Sequence, residues 1–558
     1  MDVGTVYEEL RDEAIRQHYD LEARGAYTVT AYETVYFDNL SGEKLDADLV
    51  RKARAEEMKE FQKYGVYKKV PMSECLAKTN KEPIGVRWVD VNKGDDKKPE
   101  YRSRLVAQEI NKDKRPDLFA AMPPLEAKRL LYSLMMSTEE RDGIMMDFID
   151  VRRAYLHARA IRDVYVRLPD EDYEEGMCGK LVKAMYGTRD AAQCWEREYV
   201  AFMKKAGFSC GRSSPCIFYH PSRSIRAVIH GDDFTILGHR LELDWFRTEM
   251  TSVFAIKVKA RLGPDQEGEQ ATRILNRIVE YGDNMLYYEA DQRHAEDIVN
   301  GMGLHENSKT VSTPGVNGPT QAGKITMNDS QFRMLAARCN YLAQDRPDLQ
   351  YAAKEVCRKM SAPDEAAWGL LKRIARYLVG EGRLVYVYRR QTLPDEIVVW
   401  SDTDFAGCKY TRKSTSGGAI MLGGHCVKSW SSTQAKIALS SGEAEYSGIV
   451  KATSEGMGIQ SMMKDLGYDF KLIVHTDSSA AVGIGNRHGL GKVKHMDIKE
   501  LWIQEKVMDG DIKLIKVPGT GNLADLMTKH LERAKVDEVL EKMSICRRKG
   551  RHALAPVR

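Results

Sequence analysis

The sequence predicts a multidomain protein of the α+β and α/β classes, and three observations support this prediction. The chain has 558 residues, several times the length of a typical domain of about 150 residues. Its first half contains short apolar runs separated by glycine and charged residues, which is typical of strands and hairpins. Residues 331–392 have the spacing of amphipathic helices, and the last third alternates apolar strands with helical segments.

The composition indicates a folded intracellular protein. Hydrophobic residues make up 43% and charged residues 30% of the chain, which suffices for sizeable cores. No apolar run reaches the roughly 18 residues that a membrane-spanning helix requires, and residues 1–5 lack the basic and apolar start of a signal peptide. The ten cysteines form no CxxC pair, so we expect reduced thiols. These features exclude membrane-spanning and disulfide-rich secreted proteins.

Basic residues are clustered along the chain, although the net charge is only +4. Each cluster could contact phosphates, or it could be a solvated charged surface, which is the simpler interpretation for any one of them. The C-terminal cluster could bind nucleic acid or direct nuclear import, but a disordered charged end is the interpretation that we favour. The clusters lie at 97–114, 372–376 and 547–551.

A weakly patterned lead-in precedes a predicted hairpin. Residues 1–48 are largely polar and irregular, and we expect the first part of the chain to be loosely held. Residues 86–91 and 104–107 have the pattern of two strands that flank a polar loop. This hairpin carries Arg102 and Arg104, which could grip a triphosphate or a template phosphate, or could be ordinary surface charges.

A helix and an acidic strand follow the hairpin. The apolar spacing over 125–138 predicts a helix. Residues 143–151 form an apolar run that is interrupted by two acids, Asp147 and Asp150. Because these acids are three residues apart, they point to opposite faces of a strand. Only one of them can therefore join a cluster with acids from elsewhere in the chain.

Two adjacent acids, Asp232 and Asp233, follow a glycine between two apolar runs. This pattern predicts a hairpin with both acids at its tight turn. Adjacent carboxylates repel each other, and a divalent cation is the usual means of making such a pair favourable. A solvated turn is the alternative, and it is the simpler interpretation of this segment taken alone.

The middle of the chain carries a weaker pattern. Residues 238–330 are diffuse apart from a clear loop signal at 311–315. The apolar periodicity then predicts three helices, over 334–342, 351–360 and 366–378.

Four acids in the last third occupy positions that suit a second metal site. Asp402 and Asp477 each end a predicted strand. Residues 440–443 (SSGE) predict a capping box that opens a helix, which leaves Glu445 to face a site. Asp525 lies at the predicted start of the final helix. Each acid could be a cap, a solvated helix residue or a turn residue, but four in this order are harder to explain in that way.

Several of these segments resemble the reverse transcriptase and ribonuclease H of copia-type LTR retrotransposons. Their order and spacing agree from the first hairpin to the paired acids, which is more specific than an isolated Gly-Asp-Asp. The resemblance covers about residues 50–535. The matching motifs include YRSRLVA (101–107), DVRRAYLH (150–157), HGDD (230–233), RKSTSG (412–417), ALSSGEAEY (438–446) and KHMD (494–497).

The resemblance implies a right-hand polymerase with fingers, a ferredoxin-like palm and a thumb, followed by a helical connection and a ribonuclease H-like domain with a mixed β-sheet and flanking helices. It also implies two Mg²⁺ ions at each of two sites, with Mn²⁺ as an alternative. The implied ligands of the first site are Asp150, the main-chain carbonyl of Val151, Asp232 and Asp233. The implied ligands of the second site are Asp402, Glu445, Asp477 and Asp525.

The resemblance also implies substrate contacts and partners. Tyr155 matches the residue whose ring lies beneath the sugar and excludes a 2′-hydroxyl, although a core aromatic is an equal alternative. Arg102 and Arg104 would contact the triphosphate, and His495 would contact the substrate or be structural. The implied partners are an RNA template, a DNA primer, the RNA–DNA hybrid and dNTPs, with no membrane, and the oligomeric state is left open.

The sequence departs from the family pattern in two places. His230 and Gly231 stand where the family has an apolar or aromatic residue and then Val or Met. Within residues 187–192, Asp190 places a negative charge where a nucleotide or template contact is expected. Neither change removes a metal ligand, but both leave the level of activity open.

We therefore predict an RNA-directed DNA polymerase joined to a ribonuclease H, which copies retrotransposon RNA into DNA and degrades RNA in the hybrid. The alternative is a weakly active or inactive remnant that only binds nucleic acid, but the presence of all seven expected acids favours an enzyme. With no protease or integrase motif, we expect a processed product, a truncated element or a gene fragment, in the cytoplasm, in a particle or in the nucleus. The predicted domains are the lead-in (1–48), fingers and palm (49–250), thumb and linker (251–315), helical connection (316–393), ribonuclease H-like domain (394–535) and basic tail (536–558).

Overall fold

In the computed structural model the protein folds as two compact units. The structure describes residues 35–94, 98–110, 115–137, 143–264, 270–318, 328–489, 491 and 500–556. The described residues up to 110, together with 160–191, form the first unit, and the remaining ones form the second. Most of the predicted lead-in and His495 lie outside the described residues.

The strands fall into sheets that belong to one unit or the other. In chain order they are β1 (Tyr36–Phe37), β2 (Lys44–Leu45), β3 (Tyr67–Pro71), β4 (Val86–Asn92), β5 (Tyr101–Ala107), β6 (Ile144–Val151), β7 (Tyr165–Val166), β8 (Met177–Leu181), β9 (Ser209–Cys210), β10 (Ile217–His220), β11 (Ile225–His230), β12 (Asp233–His239), β13 (Ile256–Leu262), β14 (Ala271–Ile274), β15 (Arg277–Gly282), β16 (Met285–Glu289), β17 (Arg383–Arg389), β18 (Glu396–Asp404), β19 (Thr415–Leu422), β20 (His425–Thr433), β21 (Lys471–Thr476), β22 (Ile512–Lys516) and β23 (Ile545–Arg548).

The helices are numbered in the same way. They are α1 (Ala47–Tyr64), α2 (Met72–Thr79), α3 (Leu125–Met135), α4 (Ala154–His157), α5 (Ala191–Lys205), α6 (Arg240–Val253), α7 (Gln292–Gly301), α8 (Asp329–Ala343), α9 (Pro347–Cys357), α10 (Glu365–Gly380), α11 (Ser441–Asp465), α12 (Ser479–Gly485), α13 (Trp502–Met508) and α14 (Arg533–Lys542). Short 3₁₀ segments include Leu523–Met527.

The first unit is built from small antiparallel sheets and two helices. β4 and β5 pair as the hairpin that the sequence predicts, and β3, β8 and β7 form a three-stranded sheet. Asp46 caps the N-terminus of helix α1, and its side chain accepts a hydrogen bond from the amide of Leu49. It ends at Gly65, which has a φ of 60° that suits glycine at a helix C-terminus.

A six-stranded antiparallel sheet lies at the centre of the second unit, in the order β13-β6-β12-β11-β10-β9. Apolar side chains cover both faces, with α3 on one side and α5 and α6 on the other. The edge strand β13 belongs to this sheet, although the predicted domain boundary at residue 250 assigned β13 to the thumb and linker and the other five strands to the fingers and palm. Its partner β6 lies about 100 residues upstream, so local sequence carries no signal of the pairing.

A second, five-stranded antiparallel sheet has the order β14-β15-β16-β17-β23. Strand β23 lies in the C-terminal segment that we expected to be disordered, and that expectation is wrong. Its arginines are neutralised by acids outside the basic run, because Arg547 pairs with Glu381 and Asp537, and Arg548 pairs with Glu280. The sequence shows a run of like charges, whereas the fold supplies the opposite ones.

A third sheet, mixed in direction, has the order β20-β19-β18-β21-β22. Strands β18, β21 and β22 are parallel, and the long helix α11 packs against β18. The final helix was predicted to open at residues 522–525, but this segment is a 3₁₀ turn and α14 begins at Arg533. The side-chain amide of Asn522 donates to the carbonyl of Ser401, which ties the turn to β18.

Helices α7 to α10 pack around a core of their own. Helices α8, α9 and α10 confirm the three helices predicted between residues 331 and 392. A larger core extends from the six-stranded sheet through the second sheet to the mixed sheet, so the second unit is continuously packed. Within the described ranges, no helix is both long enough and apolar enough to cross a bilayer.

Two candidate metal centres

The first candidate centre is built on the turn between β11 and β12. His230 pairs with Asp233 across the hairpin, which leaves Gly231 and Asp232 as a two-residue turn. Gly231 has a φ of 63°, as the first central position of a type II′ turn requires. The indole of Trp195 donates to the carbonyl of Gly231 over 2.8 Å. The predicted hairpin is thus present, and the paired acids are held at the end of the sheet.

Strand β6 brings a third acid to the same end of the sheet. Asp150 lies directly opposite Asp233 in the β6–β12 pairing. The amide of Val151 donates to the carbonyl of Asp232 over 2.9 Å, which fixes the strand end against the turn. Burial raises the pKa of Asp232, and the nearby Asp233 and Asp150 raise it further. The three acids therefore lie at one end of the sheet, close enough for their charges to interact.

A lysine that the sequence did not single out contacts this cluster. Lys259 Nζ lies 2.6 Å from Asp233 Oδ1 and 3.2 Å from Asp150 Oδ1. Lys259 belongs to β13, and only the long-range pairing of β13 with β6 brings it there. In the sequence it is one of two alternating lysines, which gives no indication of this contact.

Asp147 is excluded from the cluster, as the alternation along a strand predicts. Its side chain is buried and accepts hydrogen bonds from the guanidinium groups of Arg247 and Arg261 at 2.6–2.9 Å. Two arginines around one carboxylate form a structural ion pair.

The His230 departure adds no charge to the centre. Burial, together with the nearby charge of Lys128, lowers the pKa of His230 to about 4, so its imidazole is neutral at pH 7. Lys128 is itself buried, and burial lowers its pKa to about 8 although Asp233 acts in the opposite direction. This lysine is a second cation near the acids that sequence reasoning missed.

The Asp190 departure is also neutralised. In the first unit, the side chain of Asp190 is buried and lies 2.6 Å from a guanidinium nitrogen of Arg162. Glu109 pairs with the same guanidinium group at 2.9 Å. Burial raises the pKa of Asp190, but the bond and charge of Arg162 outweigh that effect and the net shift is downward. The negative charge that we expected at a substrate contact is held by an internal ion pair.

The predicted substrate-contact residues are distributed over the chain. Tyr155 lies on α4, half-buried against the core beneath the six-stranded sheet. Arg102 is exposed in the first unit and pairs with Glu100. Arg104, in the same hairpin, places its guanidinium over the ring of Tyr186 at 4.4 Å from the centroid.

The second candidate centre lies at one edge of the mixed sheet. Asp402 lies near the end of β18, Asp477 directly follows the neighbouring parallel strand β21, and Glu445 lies in the first turns of α11. One carboxylate oxygen from each of these three acids lies within 4.8 Å of the others. The carboxyl ends of adjacent parallel strands meet at one edge of a sheet, which explains why residues 75 positions apart converge.

The start of α11 determines which of its acids faces the centre. The hydroxyl of Ser440 accepts from the amide of Glu443 over 3.3 Å, and Glu443 accepts from the amide of Leu439 over 2.9 Å. Glu443 is thus occupied with capping, as predicted. Burial raises the pKa of Glu445 to about 8, and the charges of Asp402 and Asp477 contribute to this increase.

The fourth predicted acid joins this centre through a lysine. Lys529 Nζ lies 2.7 Å from Asp525 and 3.3 Å from Asp402. The hydroxyl of Thr528 donates to Asp402 as well. Burial raises the pKa of Asp525, although Lys529 opposes that shift. Sequence reasoning missed Lys529, but its position four residues after Asp525 on a helix-like turn was an available signal.

Comparison with known proteins gives the following matches. A family described as reverse transcriptase (RNA-dependent DNA polymerase) matches residues 73–264. The chain is 27% identical to the retrovirus-related Pol polyprotein from transposon TNT 1-94 of Nicotiana tabacum, over 87% of this chain and 37% of that protein. It is also 27% identical to the corresponding polyprotein from transposon RE2 of Arabidopsis thaliana, over 83% of this chain and 32% of that protein. The chain thus spans about a third of the length of these relatives.

One solved structure that the chain resembles is a foamy viral protease-reverse transcriptase in complex with double-stranded DNA. The TM-score is 0.48 and the sequence identity is 11%, over 89% of this chain and 73% of that one.

Proposed function

This chain belongs to the family of retrovirus-related Pol polyproteins of copia-type retrotransposons, and we propose on that premise that it is an RNA-directed DNA polymerase joined to a ribonuclease H. The observation that carries the proposal is the convergence of Asp150 with Asp232 and Asp233 at one end of an antiparallel sheet. A second convergence, of Asp402, Glu445 and Asp477, supports the ribonuclease H half.

The proposed architecture assigns a role to each part of the fold. The six-stranded sheet would be the palm of a right-hand polymerase, and the hairpin of β4 and β5 would belong to the fingers. The second sheet and helices α7 to α10 would form the thumb and the connection, and the mixed sheet with α11 would be the ribonuclease H-like domain. The proposal keeps the other predicted domain boundaries, with β13 added to the palm and β23 added to the second sheet.

The donor set of both centres fits divalent magnesium. Both centres offer carboxylate oxygens, which are the ligands that Mg²⁺ and Mn²⁺ prefer. Two such ions at each centre would activate the attacking oxygen and stabilise the leaving one in phosphoryl transfer. In the first centre Asp150, Val151, Asp232 and Asp233 would hold them, and in the second Asp402, Glu445, Asp477 and Asp525 would do so.

The chain's own residues would position the substrates. Tyr155 would lie beneath the sugar of the incoming nucleotide, and Arg102 and Arg104 would pair with its triphosphate. The ribonuclease H-like domain would recognise an RNA–DNA hybrid by its shape, and the 2′-hydroxyl would mark the strand to be cut. The proposed partners are an RNA template, a DNA primer, their hybrid and dNTPs, within the cell.

Primer extension on poly(rA)/oligo(dT) with Mg²⁺ tests the polymerase. We expect incorporation by the wild-type chain and none by Asp232→Asn, because the substitution removes one ligand charge while it preserves side-chain size. Equal incorporation in both would count against a polymerase site at Asp232, and none in either would favour a remnant that only binds nucleic acid.

Cleavage of RNA in a labelled hybrid tests the second activity. We expect Asp402→Asn to abolish cleavage while primer extension continues, and Asp232→Asn to have the opposite effect. Cleavage that persists in Asp402→Asn would refute the assignment of the second centre.

A further inference from the structure

Each candidate metal centre contains a lysine that bridges two of its carboxylates. At the first, Lys259 reaches from β13 to Asp150 on β6 and Asp233 on β12. At the second, Lys529 reaches to Asp402 on β18 and to Asp525. The two centres belong to unrelated sheets, one antiparallel and one mixed. The same arrangement therefore occurs twice, on different frameworks.

We propose that Lys259 and Lys529, the bridging lysines, compete with divalent cations for the carboxylates of the two centres, so that metal binding requires each lysine to move aside. This inference rests on the proposed function and adds a means of regulating it. An ammonium group and a divalent cation carry like charges and would use the same carboxylate oxygens. Close approach of both to one oxygen is therefore unfavourable.

The surroundings of both lysines allow such a movement. The side chains of Lys259 and Lys529 are 28% and 45% exposed, so each ammonium group has a route to solvent. The carboxylates that they would leave are largely buried, with side chains 11% exposed for Asp233 and 2% for Asp402, so an arriving cation has to replace the lost positive charge. Lysine also has a flexible four-carbon stem that can redirect its charge without moving the backbone.

Competition of this kind would link metal loading to substrate binding. While the lysine bridges the carboxylates, the centre is partly neutralised and its affinity for a divalent cation is reduced. A substrate phosphate would attract the released ammonium group and bring additional oxygen ligands for the metal. Metal binding and substrate binding would then favour each other.

Binding of Mn²⁺ to the full chain, followed by the electron paramagnetic resonance signal of the free ion, tests this inference without nucleic acid. We expect Lys259→Met and Lys529→Met each to tighten Mn²⁺ binding at one centre by about tenfold, because each removes one competing charge. Lys259→Arg and Lys529→Arg keep the charge, so their affinity should stay at or below that of wild type. The matched controls are Lys205→Met, at an exposed position on α5, and Lys542→Met, which pairs with Glu538.

Circular dichroism of the same samples identifies variants that fail to fold, and Lys→Gln replaces Lys→Met in that case. Unchanged or weaker Mn²⁺ binding in the folded neutral variants would overturn the inference, because that result is expected if the lysines have only a structural role. Mn²⁺ binding that survives both Asp232→Asn and Asp402→Asn would reject the metal centres themselves, and the lysine inference with them.

Discussion

Asp147 and Asp150 are three residues apart on one strand and have different surroundings. Asp147 is fully buried between two arginines, whereas Asp150 faces the paired acids at the end of the sheet. The alternation of side chains along a strand predicted that only one of them could reach the cluster. Family resemblance assigned that role to Asp150, because the spacing alone does not distinguish the two acids.

Replacing each of these acids with asparagine should give opposite results. Asp147→Asn leaves Arg247 and Arg261 without their carboxylate, so we expect the free energy of unfolding to fall by about 3–5 kcal/mol. Asp150→Asn should change stability little but abolish primer extension. Urea unfolding and extension assays on both variants test this pair, and a stable, inactive Asp147→Asn variant would contradict it.

The raised pKa of Glu445 predicts that the stability of the protein depends on pH. Its pKa in the folded protein is about 8, whereas an unperturbed glutamate has a pKa of about 4.3. Between these values the folded state binds more protons than the unfolded state at this position, so the free energy of unfolding should decrease as the pH rises. Relative to wild type, Glu445→Gln should lose less stability between pH 5 and pH 8.

Urea unfolding at the two pH values, in the presence of a chelator, measures this difference. The same change in stability for wild type and Glu445→Gln would show that Glu445 is already ionised in the folded protein at pH 5.

The bridging lysines mark the limit of residue-level prediction. The acids were found because each lies in a short motif that carries its own signal. Lys259 instead contacts Asp233, 26 residues away, through the pairing of β13 with β6. Lys529 has a local contact with Asp525, but its contact with Asp402 is 127 residues away in sequence. A charge that is neutralised across a fold has no local pattern, and the same reason explains the unexpected pairing of Asp190 with Arg162.

At the level of elements, the turn and the helix cap were predicted correctly, but the pairing of strands that are far apart in sequence was not. The turn at Gly231 and the cap at Ser440 follow from a few adjacent residues, and both are present as expected. Strands β13 and β23 are edge strands whose partners lie far away in sequence, and their sheet membership was missed. The 3₁₀ turn at Leu523–Met527 depends on the bond from Asn522 to β18, which sequence does not reveal.

The cap of α11 gives a prediction with a matched control. Ser440→Ala removes the hydroxyl that accepts from the amide of Glu443, so we expect a loss of about 1 kcal/mol in the free energy of unfolding. Ser441→Ala changes the adjacent exposed serine, which lies inside the helix, where alanine is favoured. Chemical unfolding should show a loss only for the first variant, and equal effects would argue against a capping role for Ser440.

At the scale of the second unit, the sheet that holds the first centre and the helix that leads to the second are joined directly. Asp465, at the end of α11, accepts hydrogen bonds from the amides of Arg212 and Ser213 in the loop between β9 and β10. Arg226 on β11 donates to the carbonyl of Leu466 and stacks on Tyr468. Together with the continuous core, these contacts hold the mixed sheet against the six-stranded sheet.

Asp465→Ala should therefore loosen two segments that are about 250 residues apart in sequence. Loss of the carboxylate leaves the amides of Arg212 and Ser213 without their acceptor, so we expect faster amide hydrogen exchange there and at the C-terminal turn of α11. Asp469→Ala, at an exposed position four residues on, is the matched control and should leave both segments unchanged. Faster exchange confined to one segment would show that Asp465 stabilises its own neighbourhood and does not join the two sheets.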